Sequence, residues 1–258
     1  MCAQSTSSFK RVPALDKCFA ILDLVTQSKR PLGISEISRD LSLNKSTVFN
    51  IVRTLADMQV LDCRRNGKYA VGTRLYVLGK AAGSKAELLR TVRPYLEEIS
   101  RETDFSAFLG VRMGLKAVIV DKVDAAVDIK VSSEVGMSLP LIAGASGKAL
   151  MSQVSDSELD EILSMDGLKK FTNRTCVDKR VYKEAVIKVR KESVAIDDEE
   201  YVEGLIAAAI PINTHNDNLR AAIWAVGLKR SESVAEMPAL CERLKQIATE
   251  LDVRFGST

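Results

Sequence analysis

The sequence predicts an α/β protein of the α+β kind, in which a small helical domain with a β-hairpin precedes a larger domain of helices and strands. Its 258 residues exceed the usual size of one domain, and 46% hydrophobic residues suffice for two cores. Charge divides the chain in the same way. Residues 1–83 hold 13 Lys and Arg against 6 Asp and Glu, whereas the remainder holds 24 against 28. A basic domain beside an acidic one is typical of a protein that meets a polyanion at one end.

Amphipathic patterns in the N-terminal part predict three short helices. Residues 12–27 carry apolar side chains at steps of three and four, so one stripe should face a core. That stripe comprises Leu15, Cys18, Phe19, Leu22 and Val25. After a break at Pro31, Ser35 is the expected N-cap of a short second helix. Ile37 and Leu41 should point inward from it, and a tight turn then leads to the third helix.

The third predicted helix is the candidate for reading DNA. Asn44 can cap it, and its apolar residues, which are Val48, Ile51, Val52 and Leu55, share one face. The remaining side chains point elsewhere and comprise Lys45, Ser46, Thr47, Phe49, Asn50 and Arg53. A short helix that follows a helix and a turn is typical of the recognition helix that enters a major groove. There Asn50 suits an adenine, Arg53 a guanine and Phe49 a thymine methyl group.

A β-hairpin with a basic tip is predicted after the third helix. Residues 60–71 form two short strand-like runs joined by Asn66-Gly67, the strongest short-range hairpin signal. Cations at the tip, which can reach phosphates or a minor groove, are Arg64, Arg65 and Lys68. The whole order predicts a winged helix-turn-helix that binds double-stranded DNA. The alternative is a signalling module whose winged helix docks a protein partner, and steep salt dependence of DNA binding distinguishes the two.

The remaining chain alternates helical and strand-like patterns. Helical periodicity covers residues 85–103, across Pro94, and then 146–153, 157–163, 179–192 and about 236–251. Runs of β-branched and apolar residues predict strands at 105–112, 115–122, 127–132, 205–212 and 220–228. These patterns indicate a second domain of α/β architecture with mixed element order.

Four segments carry a family resemblance. They are Leu43-Asn44-Lys45-Ser46-Thr47-Val48, Tyr69-Ala70-Val71-Gly72-Thr73-Arg74-Leu75-Tyr76-Val77-Leu78-Gly79, residues 139–150 and residues 197–212. Together they resemble signatures of the IclR family of bacterial transcriptional regulators. The resemblance implies a winged helix-turn-helix in residues 1–72, a linker helix in 73–84 and a GAF-like effector-binding domain with a mixed or antiparallel sheet in 85–258. It also implies a homodimer or homotetramer that binds an operator and responds to a small organic effector.

By the same resemblance, the effector pocket is lined by Ala145, Ser146, Asp197, Ala207, Trp224 and Val226. Some members place a Cys and two Ser that bind small oxoacids where this chain has Ala207, Trp224 and Val226. We therefore expect a ligand with an aromatic or other apolar body and a polar end that meets the amides of Ala145 and Ser146. An ionised Asp197 would favour a hydroxyl or an amine there, unless burial raises its pKa. Whether Trp224 is a ligand platform or a core residue stays open.

Other chemistries fit these residues less well. Gly144-Ala145-Ser146-Gly147-Lys148 lacks the glycine spacing of a phosphate-binding loop and the Ser or Thr that follows its lysine. The acidic run at 197–200 could hold a hard cation, but its spacing favours a solvated run at a strand end. His215, the single histidine, is expected in a turn and leaves no catalytic set for hydrolysis. We expect a protein that is not an enzyme and needs no cofactor or metal.

Composition also restricts the cellular setting. Residues 1–13 are polar and lack the apolar run of a secretory signal, and apolar stretches reach about eight residues where a membrane helix needs roughly 20. The five cysteines are scattered, without a C-x-x-C pair. These features predict a cytoplasmic protein with no membrane partner.

Overall fold

The computed structural model describes residues 10–81, 84–165, 168–214 and 219–256. The chain divides into two compact units, Met1–Gly83 and Ser84–Thr258. His215 and the turn predicted around it lie outside the described residues, as do residues 82 and 83 of the predicted linker. No helix in the described part of the chain is long and apolar enough to cross a membrane.

The N-terminal unit has the predicted order of helices and hairpin. Its elements are α1 (Pro13–Gln27), α2 (Ile34–Asp40), α3 (Lys45–Asp57), β1 (Leu61–Cys63), β2 (Tyr69–Val71) and α4 (Thr73–Ala81). A single core joins them, formed mainly by Ile21, Val25, Ile37, Val48, Val52, Leu61 and Tyr69. The hairpin is anchored to the chain before α2, since Leu32 and Tyr69 exchange two backbone hydrogen bonds of 2.9 and 2.8 Å. This pairing fixes the hairpin beside the helices.

Two details of the predicted helices were wrong. Leu15 and Phe19 do not face the core of this unit, since they are 57% and 64% exposed, and Ile21 is buried instead. Cys18, Leu22 and Val25 of the predicted stripe do pack with this core, so the prediction fails only at Leu15 and Phe19 and omits Ile21. Ser35 is not the N-cap of α2, because Gly33 holds that position and its N–H donates to the Glu36 carboxylate at 2.8 Å. Asn44 is the N-cap of α3 as predicted, although its side chain makes no capping hydrogen bond.

The predicted hairpin turn is confirmed, and it comprises residues 64–67. The N–H of Gly67 donates to the carbonyl of Arg64 at 2.9 Å, and the N–H of Arg64 donates to the carbonyl of Lys68 at 2.8 Å. Gly67 has φ +71°, a conformation that glycine adopts without steric cost. The turn therefore holds Arg64 and Arg65 at its outer end.

The C-terminal unit is built on one antiparallel sheet. In chain order it has α5 (Ser84–Glu102), β3 (Ser106–Met113), β4 (Lys116–Val123), β5 (Ser138–Pro140), α6 (Gly144–Met151), α7 (Asp156–Met165), α8 (Lys179–Glu192), β6 (Ala195–Asp198), β7 (Leu205–Ile212), β8 (Ala221–Leu228) and α9 (Ser231–Gly256). Over the described residues the strand order is β5-β4-β3-β8-β7-β6, with antiparallel neighbours throughout. The central pair, β3 with β8, joins strands that are distant in sequence, whereas the other neighbours follow one another in the chain.

Alternating side chains divide this unit into two cores. On one face of the sheet, Leu109, Ile210 and Ile223 pack with α5 and α9. On the other face, Phe108 and Trp224 pack with residues of α6, α7 and α8. This alternation is the two-residue period of a strand. The second face is the one that carries the cavity described below.

The strand predicted at residues 127–132 was wrong. Residues 124–137 form a loop, in which Ser132 Oγ donates to the Asp124 carboxylate at 3.1 Å and accepts from Lys122 Nζ at 3.0 Å. Its β-branched residues produced the strand-like pattern. In the structure they differ in environment, since Ile129 is 67% exposed whereas Val131 lines the cavity.

Two helices of this unit contain an unusual backbone position. Pro94 lies within α5, as expected for a proline tolerated inside the helix. Ser193 ends α8 in the left-handed region, with φ 57°. A left-handed residue at a helix C-terminus is most often glycine, and here a serine takes that conformation.

Candidate nucleic-acid interface and ligand cavity

The exposed face of α3 carries the predicted DNA-reading residues. Val48, Val52 and Leu55 are buried against the rest of the unit. The side chains left outside include Lys45, Ser46, Phe49, Asn50 and Arg53, all exposed, and Thr47, which is half-buried. This face therefore combines positive charge, amide and hydroxyl groups with one exposed aromatic ring, which suits contacts to phosphates and base edges.

The three cations predicted at the hairpin are not equivalent. Arg64 and Arg65 are exposed at the turn. The ammonium of Lys68 instead lies 3.6 Å from the Glu36 carboxylate of α2, which also pairs with Arg30 at 2.7 Å. The hydrogen bond from Arg30 and that from the Gly33 N–H lower the pKa of Glu36 to about 2. Lys68 is therefore partly neutralised by α2, whereas Arg64 and Arg65 present full charges.

Arg53 lies beside the hairpin as well as on α3. Its guanidinium interacts with the hydroxyl of Tyr69, which also interacts with the Cys63 thiol. Burial is the main cause that raises the pKa of Tyr69. Tyr69 therefore connects the end of α3 to the hairpin, and it was not among the residues predicted for this surface.

A cavity of about 220 Å³ lies between the sheet and α6 in the C-terminal unit. All the residues predicted for the effector pocket line it, namely Ala145, Ser146, Asp197, Ala207, Trp224 and Val226. Strand register brings three of them together, since Asp197 pairs with Ala207 and Ala207 pairs with Val226 across β6, β7 and β8. Trp224 lies two residues before Val226 on β8, so both side chains are on the same face of the sheet. The sheet thus forms one wall of the cavity.

The start of α6 forms a second, polar wall. Ala145 and Ser146 belong to its first turn, where backbone N–H groups have no acceptor within the helix. Gly144, with φ +60°, precedes them, and a Cβ there would collide with Oδ2 of Asp197. Gly147 packs against the carbonyl of Leu141 so closely that a Cβ would also collide. These glycines allow the helix to begin beside the carboxylate.

Trp224 is both a core residue and a cavity residue. It is 5% exposed and stacks on Phe108, with ring centroids 5.7 Å apart and planes inclined by 16°. Both rings line the cavity. Trp224 is therefore a core residue whose packing against Phe108 holds the indole at the cavity wall, and its contact with a ligand stays a prediction.

Asp197 is the buried ionisable group of the cavity. It is 7% exposed, and its Oδ1 accepts a hydrogen bond of 2.6 Å from the N–H of Glu200. Burial is the largest cause that raises its pKa to about 6; the Glu200 charge acts in the same direction, and Lys148 opposes it. Burial therefore raises this pKa, as the sequence prediction allowed, but at a pKa of about 6 the carboxyl is still mostly ionised at neutral pH.

The sequence predictions did not include the ion pair next to Asp197. Lys148 of α6 forms a buried ion pair with Glu200 and donates to the carbonyl of Ile196 at 3.1 Å. The signal was available: a lysine within the apolar run of α6 needs a buried partner, and the acidic run at 197–200 offers one.

The acidic run is not the solvated run that was expected. Lys229 pairs with Asp198 at 2.6 Å, and Arg174 pairs with Asp198 at 3.0 Å and with Glu199 at 2.9 Å. Lys229 also pairs with Glu199 and, with Arg174, lowers the pKa of that carboxyl to about 2. Within the described ranges, no group of His, Cys, Asp and Glu has the arrangement of a metal site.

Other cavity residues were also missed. The loop at 124–137 contributes Val131, Ser133 and Met137, and the chain after β6 contributes Tyr201 and Val202. Tyr201 is fixed by an edge-to-face contact with Phe171, with centroids 5.0 Å apart. These residues add to the cavity wall beyond the residues predicted for it. A basic helix-turn-helix unit and a sheet unit that carries a cavity are together typical of a DNA-binding protein with a ligand domain.

Comparison with known proteins identifies the family. Residues 14–62 match the family model of the IclR helix-turn-helix domain, and residues 80–253 match that of the bacterial transcriptional regulator IclR C-terminal domain. The chain belongs to the IclR family and is a DNA-binding transcriptional regulator of that family. The family prediction made from the four segments is confirmed.

Relatives and solved structures match over nearly the whole chain. The HTH-type transcriptional regulator XynR of Escherichia coli is 27% identical over 246 residues, which cover 95% of this chain and 98% of XynR. The acetate operon repressor of Salmonella typhimurium is 25% identical, covering 96% and 92%. The crystal structure of Thermotoga maritima IclR superposes with a TM-score of 0.68 at 27% identity, covering 95% and 100%. An IclR homolog from Microbacterium hydrocarbonoxydans, complexed with 4-hydroxybenzoate, has a TM-score of 0.79 at 18% identity, covering 95% and 100%, and shares the fold.

Proposed function

We propose that this regulator binds an operator through α3 and the hairpin, and that a small organic effector in the 220 Å³ cavity controls that binding. The observation that carries the proposal is the convergence of Asp197, Ala207, Trp224 and Val226 with the first turn of α6 around one cavity. Such a cavity, mostly apolar with a few convergent polar groups, is the usual form of a small-molecule site. The effector is bound and released unchanged, so the protein acts as a receptor and not as an enzyme.

The cavity favours an aromatic effector with one polar end. Trp224 and Phe108 offer stacked rings at one side, and the first turn of α6 offers N–H groups at another. An aromatic body would gain about 0.5 to 1.5 kcal/mol beyond its burial from such rings. The fold neighbour that holds 4-hydroxybenzoate makes this compound a reasonable first probe for the present chain.

On the DNA side, α3 reads bases and the hairpin binds phosphates. Asn50 and Arg53 supply the bidentate groups that distinguish adenine and guanine, and Phe49 supplies an apolar contact. Arg64 and Arg65 add sequence-independent attraction that salt weakens. This division of roles follows from the exposure of these side chains.

The regulator acts as a homodimer or a higher even oligomer. In the N-terminal unit, α1 exposes Leu15 and Phe19, and α4 exposes Val77 and Leu78 at 56% and 55%. Exposed apolar side chains of this size favour burial against a second copy. Two copies would read two related half-sites about one helical turn apart, or a multiple of it. Light scattering that gives a strict monomer with and without DNA would contradict this.

The effector site can be tested by filling the cavity. Ala207→Leu adds a larger side chain to the cavity wall, and Ala239→Leu makes the same change at an exposed position of α9. Ligands are found by titrating small aromatic acids, amides and amines while recording the fluorescence of Trp224, the single tryptophan of the chain. A ligand that binds wild type and Ala239→Leu equally, but Ala207→Leu at least tenfold more weakly, supports the cavity site. Equal binding to all three proteins overturns it.

A further inference from the structure

A groove of about 470 Å³ opens beside the end of the edge strand β5 and shares no lining residue with the 220 Å³ cavity. Its volume lies within the range of about 300 to 1,000 Å³ that is usual for small-molecule sites. Among the described residues, aliphatic side chains form most of its wall, namely Leu115, Pro140, Leu141, Ile142 and Ile162. A wall of this kind suits an alkyl chain, because burial of apolar surface is favourable without a fixed contact geometry.

The groove carries positive charge on one side. Lys169 is the charged residue of its lining, and its ammonium lies over the ring of Phe171, 5.7 Å from the centroid. In the described part of the chain no carboxylate forms an ion pair with Lys169, and Asp160 of the adjoining α7 pairs with Lys183 instead, at 2.7 Å. A ring face attracts an ammonium but does not neutralise it. The charge of Lys169 is therefore available to an anion.

One turn of the chain separates the groove from the cavity. Residues 140–142 line the groove, whereas residues 139 and 143–145, on either side of them, line the cavity. The turn is closed by a hydrogen bond of 3.1 Å, which the N–H of Ala143 donates to the carbonyl of Pro140. A ligand in the groove would therefore contact a turn whose two ends belong to the cavity wall.

An aromatic contact forms a second connection between the two spaces. Phe171 of the groove meets Tyr201 of the cavity edge to face, with centroids 5.0 Å apart and planes inclined by 81°. A ligand that displaces the Phe171 ring must therefore also disturb Tyr201. The groove thus touches the cavity wall at two places that are distant in sequence.

Resting on the proposed function above, we propose that the groove is a second ligand site, which binds an alkyl chain with an anionic end. The chain lies against the aliphatic wall and the anion pairs with Lys169. This ligand alters the cavity through the turn at 140–143 and thereby changes operator binding. Because each buried CH₂ group adds about three- to fourfold in affinity, the chain supplies most of the binding, and the exposed charge supplies selectivity between anions and cations.

Calorimetric titration tests the class of ligand. The probes are decanoate, octanoate and decyltrimethylammonium, all below the concentrations at which they form micelles. Decanoate should bind about tenfold more tightly than octanoate, which has two CH₂ groups fewer. It should also bind at least fivefold more tightly than decyltrimethylammonium, which carries the opposite charge. Equal binding of the anion and the cation overturns the proposal.

A pair of charge reversals on adjacent residues tests the position of the anion. Lys169→Glu should weaken decanoate about fivefold, because an attraction becomes a repulsion at a partly solvated site. Lys170→Glu makes the same change in net charge at an exposed residue that does not line the groove, and should bind decanoate like wild type. Both positions are on the surface, so both variants should fold. Equal affinities in the two variants contradict the role of Lys169.

Three further variants decide which space holds the chain. Leu115→Asp places a charge in the groove wall and should weaken decanoate at least tenfold, whereas Met113→Asp, an exposed change outside the groove, should not. Ala207→Leu fills the cavity and should leave decanoate affinity within twofold of wild type. A loss of decanoate binding in Ala207→Leu would place the chain in the cavity and overturn the proposal.

The effect on DNA binding is measured with a labelled operator, selected from a random DNA pool. A saturating concentration of decanoate should change the operator Kd of wild type by at least threefold, and the same concentration should affect Lys169→Glu less. Decanoate that binds in the groove by calorimetry and leaves the operator Kd of wild type unchanged contradicts the regulatory role. Such a failure is distinct from failure of the proposed function, which aromatic ligands and Ala207→Leu test independently of Lys169 and Leu115.

Discussion

The indole of Trp224 lies directly on Gly110 of the neighbouring strand, where a Cβ would sit 2.5 Å from Cη2 and Cζ3. Gly110→Ala must therefore push the indole toward the cavity or shift the sheet. We expect weaker effector binding and a loss of about 1 to 3 kcal/mol in the free energy of unfolding, the usual cost of overpacking. Both are measurable through the fluorescence of Trp224.

The matched control for this variant is Gly79→Ala. Gly79 lies in α4, and a Cβ there meets nothing within 4 Å. The control should bind effector like wild type. Unchanged effector affinity in Gly110→Ala would mean that Trp224 does not contact the ligand.

Glu36 restrains a cation that could otherwise reach DNA. Its carboxylate pairs with Lys68 of the hairpin and with Arg30. Glu36→Gln should raise affinity for non-specific duplex DNA and steepen its salt dependence, because the variant removes a negative charge and releases Lys68. Fluorescence anisotropy at several salt concentrations measures both.

Asp23→Asn provides the comparison for Glu36→Gln. Asp23 is an exposed residue of α1, and its replacement changes the net charge by the same amount. The effect on the salt dependence should be clearly smaller. Equal effects in the two variants would show that total charge alone, and not the release of Lys68, governs binding.

Local sequence patterns predict most of the helices and strands. They predict only part of the cavity and its surroundings. The bounds of α8 and β7 were predicted to the residue, because α8 has a strong helical periodicity and β7 is a continuous apolar run. The loop at 124–137 was misjudged, because β-branched residues can pack in a loop as well as in a strand. The ion pair of Lys148 with Glu200 joins residues 52 positions apart, and no local pattern specifies such a contact. The residues around the cavity were predicted from family resemblance, not from spacing.

The reading of bases by α3 can be tested residue by residue. Asn50→Ala and Arg53→Ala should each weaken binding to the preferred operator by about 1 to 3 kcal/mol and relax specificity at one base pair. The operator is obtained by selection from a random DNA pool. Gln27→Ala, an exposed change at the end of α1, should bind like wild type. If both α3 variants keep full affinity and the same selected sequence at physiological salt, another element reads the bases.

The stability of the C-terminal unit should depend on pH through Asp197. Its pKa is raised to about 6 in the folded protein, so the folded state holds the proton more tightly than the unfolded state does. The resulting stabilisation is present below the unfolded pKa and is lost as pH rises through about 6. Asp197→Asn removes this loss and should be more stable than wild type at pH 8 by about 1 to 3 kcal/mol, with the difference shrinking toward pH 5.

Urea denaturation followed by Trp224 fluorescence measures this difference, since the indole reports on the same unit. Asp198→Asn breaks ion pairs with Lys229 and Arg174, two partly exposed cations. It should lower the free energy of unfolding by less than about 1 kcal/mol, with little difference between pH 5 and pH 8. A variant Asp197→Asn that is less stable than wild type at pH 8 would show that the ionised carboxylate is favourable where it lies.

A ligand in the cavity should change operator binding by the other unit. The most direct measurement is the anisotropy of the selected operator, labelled with a fluorophore, titrated with protein in the presence and absence of a saturating ligand found through Trp224. We expect the ligand to shift the operator Kd of wild type and Ala239→Leu by fivefold or more, and to leave that of Ala207→Leu unchanged at the same ligand concentration. An operator Kd that is the same with and without ligand in wild type, at a concentration that saturates the Trp224 signal, would mean that the cavity does not control operator binding.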